Sequence, residues 1–130
     1  MTPPDLLLDS APPRPDRGSV TAETAVLLPV LLIVLAAAVG VLACVAGQLR
    51  CVDAARAAAR VAARGDDATV VRSTAERLAP PGARVTIGTT GDVVEVLVSA
   101  EVRPFGSALQ GLGSVDVSGR AVASIEGEVR

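Results

Sequence analysis

The amino-acid sequence predicts an α+β protein with a long N-terminal transmembrane helix, a short second helix and a small antiparallel three-stranded sheet. Three observations predict it. Residues 25–47 are apolar and uncharged, and Arg56, Arg60 and Arg64 then recur at the helical spacing of four. Beyond Gly82, apolar and polar residues alternate with the period of two that is typical of half-buried strands.

The composition argues against several classes of function. The chain of 130 residues has one aromatic residue, Phe105, no His and two Cys, so the commonest general base and metal ligand is missing. The 12 basic residues, all Arg, and the 14 acidic residues give a net charge of -2. Neither sign forms the patch that nucleic acid requires. We therefore predict no enzyme, no cofactor, no metal site and no nucleic-acid partner.

The first 17 residues contain five prolines and charges of both signs. Such a segment cannot propagate a helix and has little apolar surface to bury. We interpret it as a disordered leader on the cytoplasmic side of a membrane.

The apolar run 25–47 predicts the membrane span. Its 23 residues would extend about 34 Å as a helix, against a hydrocarbon core of about 30 Å. Pro29, in what we take as the second turn, has no N–H for the Ala25 carbonyl, so a bend is expected there. Small residues spaced by four, Ala36/Gly40 and Ala43/Gly47, favour packing against other helices.

An acidic residue, Glu23, lies two residues before this run. An unpaired charge near the bilayer core costs up to a few kcal/mol, and less at the interface. One interpretation places Glu23 in the first turn of the helix, where the helix dipole favours an acid and headgroup water is within reach. The other is that the carboxylate has a functional partner.

The helical pattern continues from Gln48 to Arg64. Gly65 is a suitable C-cap, and Asp66 or Asp67 can cap a second helix over residues 68–78. The sequence Pro80-Pro81-Gly82 ends that helix.

Three strands follow. Val85 and Ile87 share a face of the first, and a turn at Thr90-Gly91-Asp92 leads to the second, which Pro104 ends. In the second strand the apolar face is Val94, Val96, Val98, Ala100 and Val102, and the polar face is Glu95, Ser99 and Glu101. In the third, Val115, Val117, Ala121, Ala123 and Ile125 alternate with Asp116, Ser118, Arg120, Ser124 and Glu126. The apolar face needs a cover, which either the second helix or the end of the first supplies.

The sequence Gly18-Ser19-Val20-Thr21-Ala22-Glu23, followed at once by a spanning helix, resembles the class III signal of type IV prepilins. The stretch from Glu23 to Pro29 is similar to TadE-like minor pilins of tight-adherence (Tad/Flp) systems. The resemblance implies that a prepilin peptidase cuts between Gly18 and Ser19. It also implies that Glu23 pairs with the new N-terminal amine of a neighbouring subunit during assembly, and that Pro29 is the early helix-bending proline.

The same resemblance implies a domain organisation: a leader (1–18), a transmembrane and pilin-like helix (19–64) and an extracytoplasmic head (65–130). The mature chain would be a single-pass protein of the cytoplasmic membrane, or part of an extracellular pilus. Its partners would be the peptidase, other Tad/Flp pilins and minor pilins, the Tad assembly platform and the lipid bilayer, and its role pilus biogenesis and adhesion. Thr24 stands where many such proteins have an aromatic residue, which leaves TadE versus a sister minor pilin open. The head argues against the major Flp pilin.

Two patterns favour other interpretations. Arg14 and Arg17 precede the apolar run, whereas four arginines (50, 56, 60 and 64) follow it, so the positive-inside rule predicts a cytoplasmic head. We follow the cleavage signal instead. Val41-Leu42-Ala43-Cys44 is a loose lipobox, so the alternative function is a single-pass or lipid-anchored extracytoplasmic binding module unrelated to pili.

The two cysteines, Cys44 and Cys51, are seven residues apart on the predicted helix. That spacing separates them by about 10 Å along the axis, too far for a disulfide between them. Either Cys51 forms a disulfide between subunits, or both are buried small apolar residues.

Overall fold

A computed structural model of the chain describes residue 1, residues 17–106, residue 111 and residues 113–125. The elements are α1 (Arg17–Ala63), α2 (Ala68–Leu78), β1 (Arg84–Thr90), β2 (Val93–Val102) and β3 (Val115–Ser124). They confirm the predicted α+β class. The leader before Arg17, and Glu126, lie outside the described residues. The chain divides into two compact units, Met1–Leu35 and Ala36–Arg130.

Helix α1 has 47 residues and is continuous through Pro29. It begins at Arg17, and its first turn contains no acidic residue. Glu23 therefore lies in the second turn, and the interpretation of it as a first-turn acid is wrong. For the same reason Pro29 lies in the fourth turn and not in the second.

Helix α1 is long and apolar enough to cross a membrane. Its most apolar window of 18 residues has a mean hydropathy of 3.0, and only 6% of that window is buried. The core helix of a water-soluble protein would be covered by its own chain, whereas this segment is bare. An apolar helix with no protein cover needs lipid or other subunits around it.

The junction between α1 and α2 has the predicted turn at Gly65, but the predicted side-chain cap of α2 does not form at Asp67. Gly65 has φ +80°, and its N–H donates to the Ala62 carbonyl at 3.0 Å. Asp67 occupies the N-cap position of α2, and its main-chain oxygen accepts the N–H groups of Val70 and Val71. The Asp67 carboxylate makes no capping bond to the backbone, and accepts the Thr69 hydroxyl at 3.0 Å instead.

The sheet is an antiparallel meander in the order β1-β2-β3. Thr90 pairs with Val93, so Gly91 and Asp92 form a two-residue loop. Gly91 has φ +59° and no described residue other than glycine has a positive φ, as a type II′ turn requires. The buried residues of β2 alternate as predicted.

The core shows what covers the sheet. Both predicted covers are used, because buried residues come from the C-terminal part of α1, from α2 and from all three strands. The largest fully buried side chains are only Val and Cys. With side chains this small, the packing of α1 on the sheet depends on close approach of the two backbones. The buried apolar residues are Cys51, Ala54, Ala55, Ala58, Ala59, Ala62, Val71, Ala75, Val85, Val94, Val96, Val98, Ala100 and Val117.

Glycines mark the closest approaches between α1 and the sheet. A Cβ added at Gly119 of β3 would overlap backbone atoms of Cys51 and Val52. A Cβ added at Gly47 would lie 2.5 Å from Val102 Cγ2. The small residue at Gly47 therefore serves a contact with the sheet of the same chain, and the expectation of helix–helix packing at this position is wrong.

The edge of β3 is covered by a side chain that sequence analysis did not single out. The Gln48 amide donates from Nε2 to the Ser118 carbonyl at 2.7 Å, and Gln48 Oε1 accepts the Ser118 N–H at 3.1 Å. These two bonds occupy backbone groups that would otherwise be free at a sheet edge. Gln48 thus fixes β3 to α1.

Replacing Gln48 with Leu should destabilise the packing of β3 on α1. Both hydrogen bonds would be lost at an exposed site, which predicts a cost of about 1 kcal/mol per bond. Hydrogen exchange of β3 amides, measured by mass spectrometry on the full chain in detergent, should become faster. Arg50→Leu, an exposed position two residues along the same helix, is the matched control. Equal exchange rates in the two variants would contradict this role.

Candidate functional site

The residues that the sequence singles out lie together at the start of α1. Gly18, Ser19, Glu23 and Pro29 all belong to this helix and to the first compact unit. Gly18 and Ser19 are in its first turn, where the backbone N–H groups have no partner within the helix. Helix ends fray. The predicted scissile bond lies at such an end of α1.

Glu23 is exposed, and the structure provides it with no cation. The three ion pairs formed among the described residues are Arg64–Asp66, Arg103–Glu101 and Arg120–Glu95. None of them involves Glu23. Ser19 precedes Glu23 by four residues, which is about one helical turn. The ion pairs formed among the described residues therefore leave Glu23 without a cationic partner.

The hydroxyl group of Thr24, the residue after Glu23, forms a hydrogen bond within the helix. Thr24 Oγ1 donates to the Val20 carbonyl at 2.8 Å, as threonine does when it bonds back by one turn. This bond lets a polar side chain enter an apolar segment without an unpaired donor. Thr24 therefore remains compatible with a membrane or a helix bundle, although its sequence position is unusual.

The surface beyond Glu23 is apolar on all sides. Every described side chain from residue 20 to residue 39 is exposed. Pro29 lies in this stretch and lacks the N–H that the Ala25 carbonyl would accept. Among the described residues no group of His, Cys, Asp and Glu could hold a metal ion. The chemistry of this surface is that of helix association around one carboxylate.

The arginines beyond the apolar run belong to a folded unit. Arg56, Arg60 and Arg64 are exposed, whereas the alanines of the same helical segment are buried against the sheet. The arginine repeat is therefore the solvent face of the helix that covers the sheet. It is not a flexible loop beside the membrane.

The two cysteines have different surroundings. Cys51 is fully buried, with Sγ 3.9 Å from the Val117 carbonyl oxygen, so the interpretation of it as a small core residue is confirmed. Cys44 is half-buried, and both thiols are free. A disulfide between subunits through Cys51 would require the core to open.

One acidic side chain outside the predicted site, Glu101, interacts with two neighbouring residues. The Ser114 side chain and the Arg103 guanidinium hold the pKa of Glu101 below its usual range by hydrogen bonding, and Arg103 adds its charge. Glu101 therefore stays ionised at the end of β2. The sequence could not show this, because the bond to Ser114 joins two different strand ends.

Comparison with known proteins gives two matches. The profile of the TadE-like protein family matches residues 18–60, which are nearly all of α1. A protein of Mycobacterium tuberculosis named "Apoptosis inhibitor Rv3655c" is 37% identical over 107 residues, covering 80% of this chain and 77% of the relative. A match of that extent includes part of the head as well as α1. No solved structure matches the chain.

Proposed function

Because the chain belongs to the family of TadE-like proteins, which is associated with Tad pilus systems, we propose that it is a minor-pilin structural subunit of a Tad/Flp-type pilus. The leader 1–18 is removed by a prepilin peptidase, and the helix then assembles with other Tad pilins. The subunit supports pilus biogenesis and adhesion. One observation carries the proposal: a bare apolar helix begins beside an exposed carboxylate, Glu23, that has no cation among the described residues.

Electrostatics explains why processing would control assembly. Glu23 beside lipid is costly in an isolated subunit. An ammonium group from a neighbouring chain attracts it strongly in a medium of low dielectric constant, and removing either partner leaves an uncompensated charge. Cleavage after Gly18 creates that ammonium group on Ser19, close to the membrane edge. Uncleaved subunits would carry the acid without the amine.

The packing of the arginines weakens the objection that the positive-inside rule raises to a head outside the cytoplasm. The positive-inside rule is counted over short loops, and whole domains translocate largely regardless of charge. Arg56, Arg60 and Arg64 lie on the helix that covers the sheet, so they move with a folded domain. The subunit is then a single-pass protein of the cytoplasmic membrane before it enters a pilus.

The exposed apolar surface of residues 20–39 supports partners that are themselves apolar helices. In this proposal the partners are other Tad/Flp pilins, the assembly platform and the surrounding lipid. Close helix packing without aqueous solvent depends on shape and on satisfied polar groups. The Thr24 hydroxyl, already bonded to the Val20 carbonyl, meets that requirement.

The mature N-terminus tests the proposal. Mass spectrometry of the protein purified from membranes should give a chain that begins at Ser19. Gly18→Leu should retain the leader, because a bulky side chain replaces the glycine that the signal requires, whereas Ala22→Leu within the same segment should be cleaved. A wild-type chain that still begins at Met1 would overturn the proposal.

The second candidate is an anchored extracytoplasmic binding module. It is favoured by the name of the mycobacterial relative, which describes an effect on apoptosis and no part of a pilus. A mature chain beginning at a lipidated Cys44 would support this candidate. Cys44 lies within the continuous helix α1 and is half-buried, so lipidation there would require that helix to be cut.

A further inference from the structure

The chain segment that follows β2 contacts α1 inside the apolar run, at Gly40. A methyl group added at Gly40 would lie 2.9 Å from Phe105 Cζ and 3.3 Å from Pro104 Cβ. The ring of Phe105 therefore packs on the bare backbone of α1. Gly40 is buried, while Val39, Val41 and Leu42 remain more than half exposed. The turn covers one side of the helix and leaves the other sides open.

This contact lies within the uncharged segment of α1. Gly40 is seven residues before Gly47, where the apolar run ends, and ten before Arg50, the next charged residue. These spacings correspond to about 10 Å and 15 Å along a helix. If the head stays outside the hydrocarbon core, the span ends near Gly40 instead of Gly47, and Pro104 and Phe105 then lie at the boundary between headgroups and acyl chains. Residues 20–40 still extend about 30 Å as a helix, which is enough to cross that core.

The composition of this turn suits contact with lipid. Residues 103–106 form a turn closed by a hydrogen bond from the Gly106 N–H to the Arg103 carbonyl at 3.0 Å, and Gly106 has φ +59°. Its two central residues, Pro104 and Phe105, are apolar, and proline has no N–H to satisfy. The one charged group, Arg103, is exposed and pairs with Glu101 at 3.3 Å. Few polar groups would lose water on contact with lipid.

We propose that the Pro104–Phe105 turn is a membrane-contact element that seats the head on the bilayer surface from which α1 emerges. Its partner is the lipid itself, at the boundary between headgroups and acyl chains, where aromatic side chains are favoured. Part of the ring packs on Gly40, and because Phe105 is only half-buried, part of its side chain remains accessible. The proposal requires that α1 spans the membrane and is independent of pilus assembly.

Tryptophan fluorescence tests the contact directly, because the chain contains no Trp and no Tyr. The full chain carrying Phe105→Trp is reconstituted in phosphatidylcholine vesicles, with bromine placed on the acyl chains near the headgroup. We expect the bromolipid to remove most of the emission and aqueous acrylamide to remove little. Thr89→Trp, an exposed position near the opposite end of the sheet, is the matched control and should show the reverse.

A second reporter leaves the native ring in place. Val115 is 44% exposed and pairs with Val102, the residue that meets Gly47. Val115→Trp should be quenched by bromolipid more than Thr89→Trp. Bromolipid quenching of Phe105→Trp and Val115→Trp at the level of the control would overturn the proposal. Blue-shifted emission from Phe105→Trp without bromolipid quenching would also overturn it, since the ring would then be buried in protein only.

Discussion

Replacing Gly119 with Ala should strongly destabilise the packing of the sheet on α1. The added methyl group would overlap backbone atoms of Cys51 and Val52, and neither the helix nor the strand can move without opening the core. Overpacking of this kind typically costs about 1–3 kcal/mol, and backbone on both sides places this site at the upper end. Since single domains are stable by only about 5–15 kcal/mol, the loss is a large part of the total.

The measurement is hydrogen exchange of the β2 amides in the full chain in detergent. Val96 and Val98 of β2 are fully buried beside this contact, so their amides report on it. Gly88→Ala is the matched control, because a Cβ at Gly88 in β1 would meet nothing within 4 Å. We expect exchange to accelerate by about a hundredfold in Gly119→Ala, which corresponds to about 2.7 kcal/mol, and to change little in the control. Similar exchange in both variants would contradict the close approach of helix and strand.

The elements of the fold follow from local patterns, and the sequence predicts them for that reason. Gly65 ends α1, and the Pro80 stop ends α2, near the residues expected. The alternation from Val94 to Ala100 shows which face of β2 is buried. Each of these signals is contained within a few residues, so no knowledge of the tertiary structure was needed.

The contacts between elements could not be predicted in the same way. A small-residue spacing such as that of Gly40 and Gly47 allows close approach, but it does not specify whether a helix or a strand approaches. Here the partners are Phe105 and Val102, more than 50 residues away in sequence. Gln48 and Ser118 are likewise 70 residues apart, so nothing near either residue indicates the pair.

In the candidate site, too, the local motif could be predicted from the sequence and its structural setting could not. The motif around Gly18 and Glu23 is local and can be recognised from the sequence, but the number of turns before the acid depends on where the helix begins. The structure begins α1 at Arg17, which moves Glu23 out of the first turn and weakens the helix dipole as its explanation. The pairing of Glu23 with an amine of another chain stays a proposal.

Replacing Glu23 with Gln should leave membrane insertion and cleavage after Gly18 intact and abolish assembly with other subunits. The neutral amide is cheaper than a carboxylate beside lipid, so the isolated subunit should insert at least as well. It cannot neutralise the Ser19 amine of a neighbour, and breaking one side of a buried ion pair costs about 3–5 kcal/mol. That corresponds to a loss of more than about a hundredfold in association.

The measurement separates assembly from processing. Mass spectrometry establishes the mature N-terminus, and copurification with other Tad pilins after crosslinking in cells gives the assembled fraction. Ala22→Gln places the same new side chain one residue earlier on α1, keeps the carboxylate and should assemble. If processed Glu23→Gln copurified as well as wild type, the carboxylate would have no ionic partner, and an exposed acid at the start of a bare apolar helix would need another explanation.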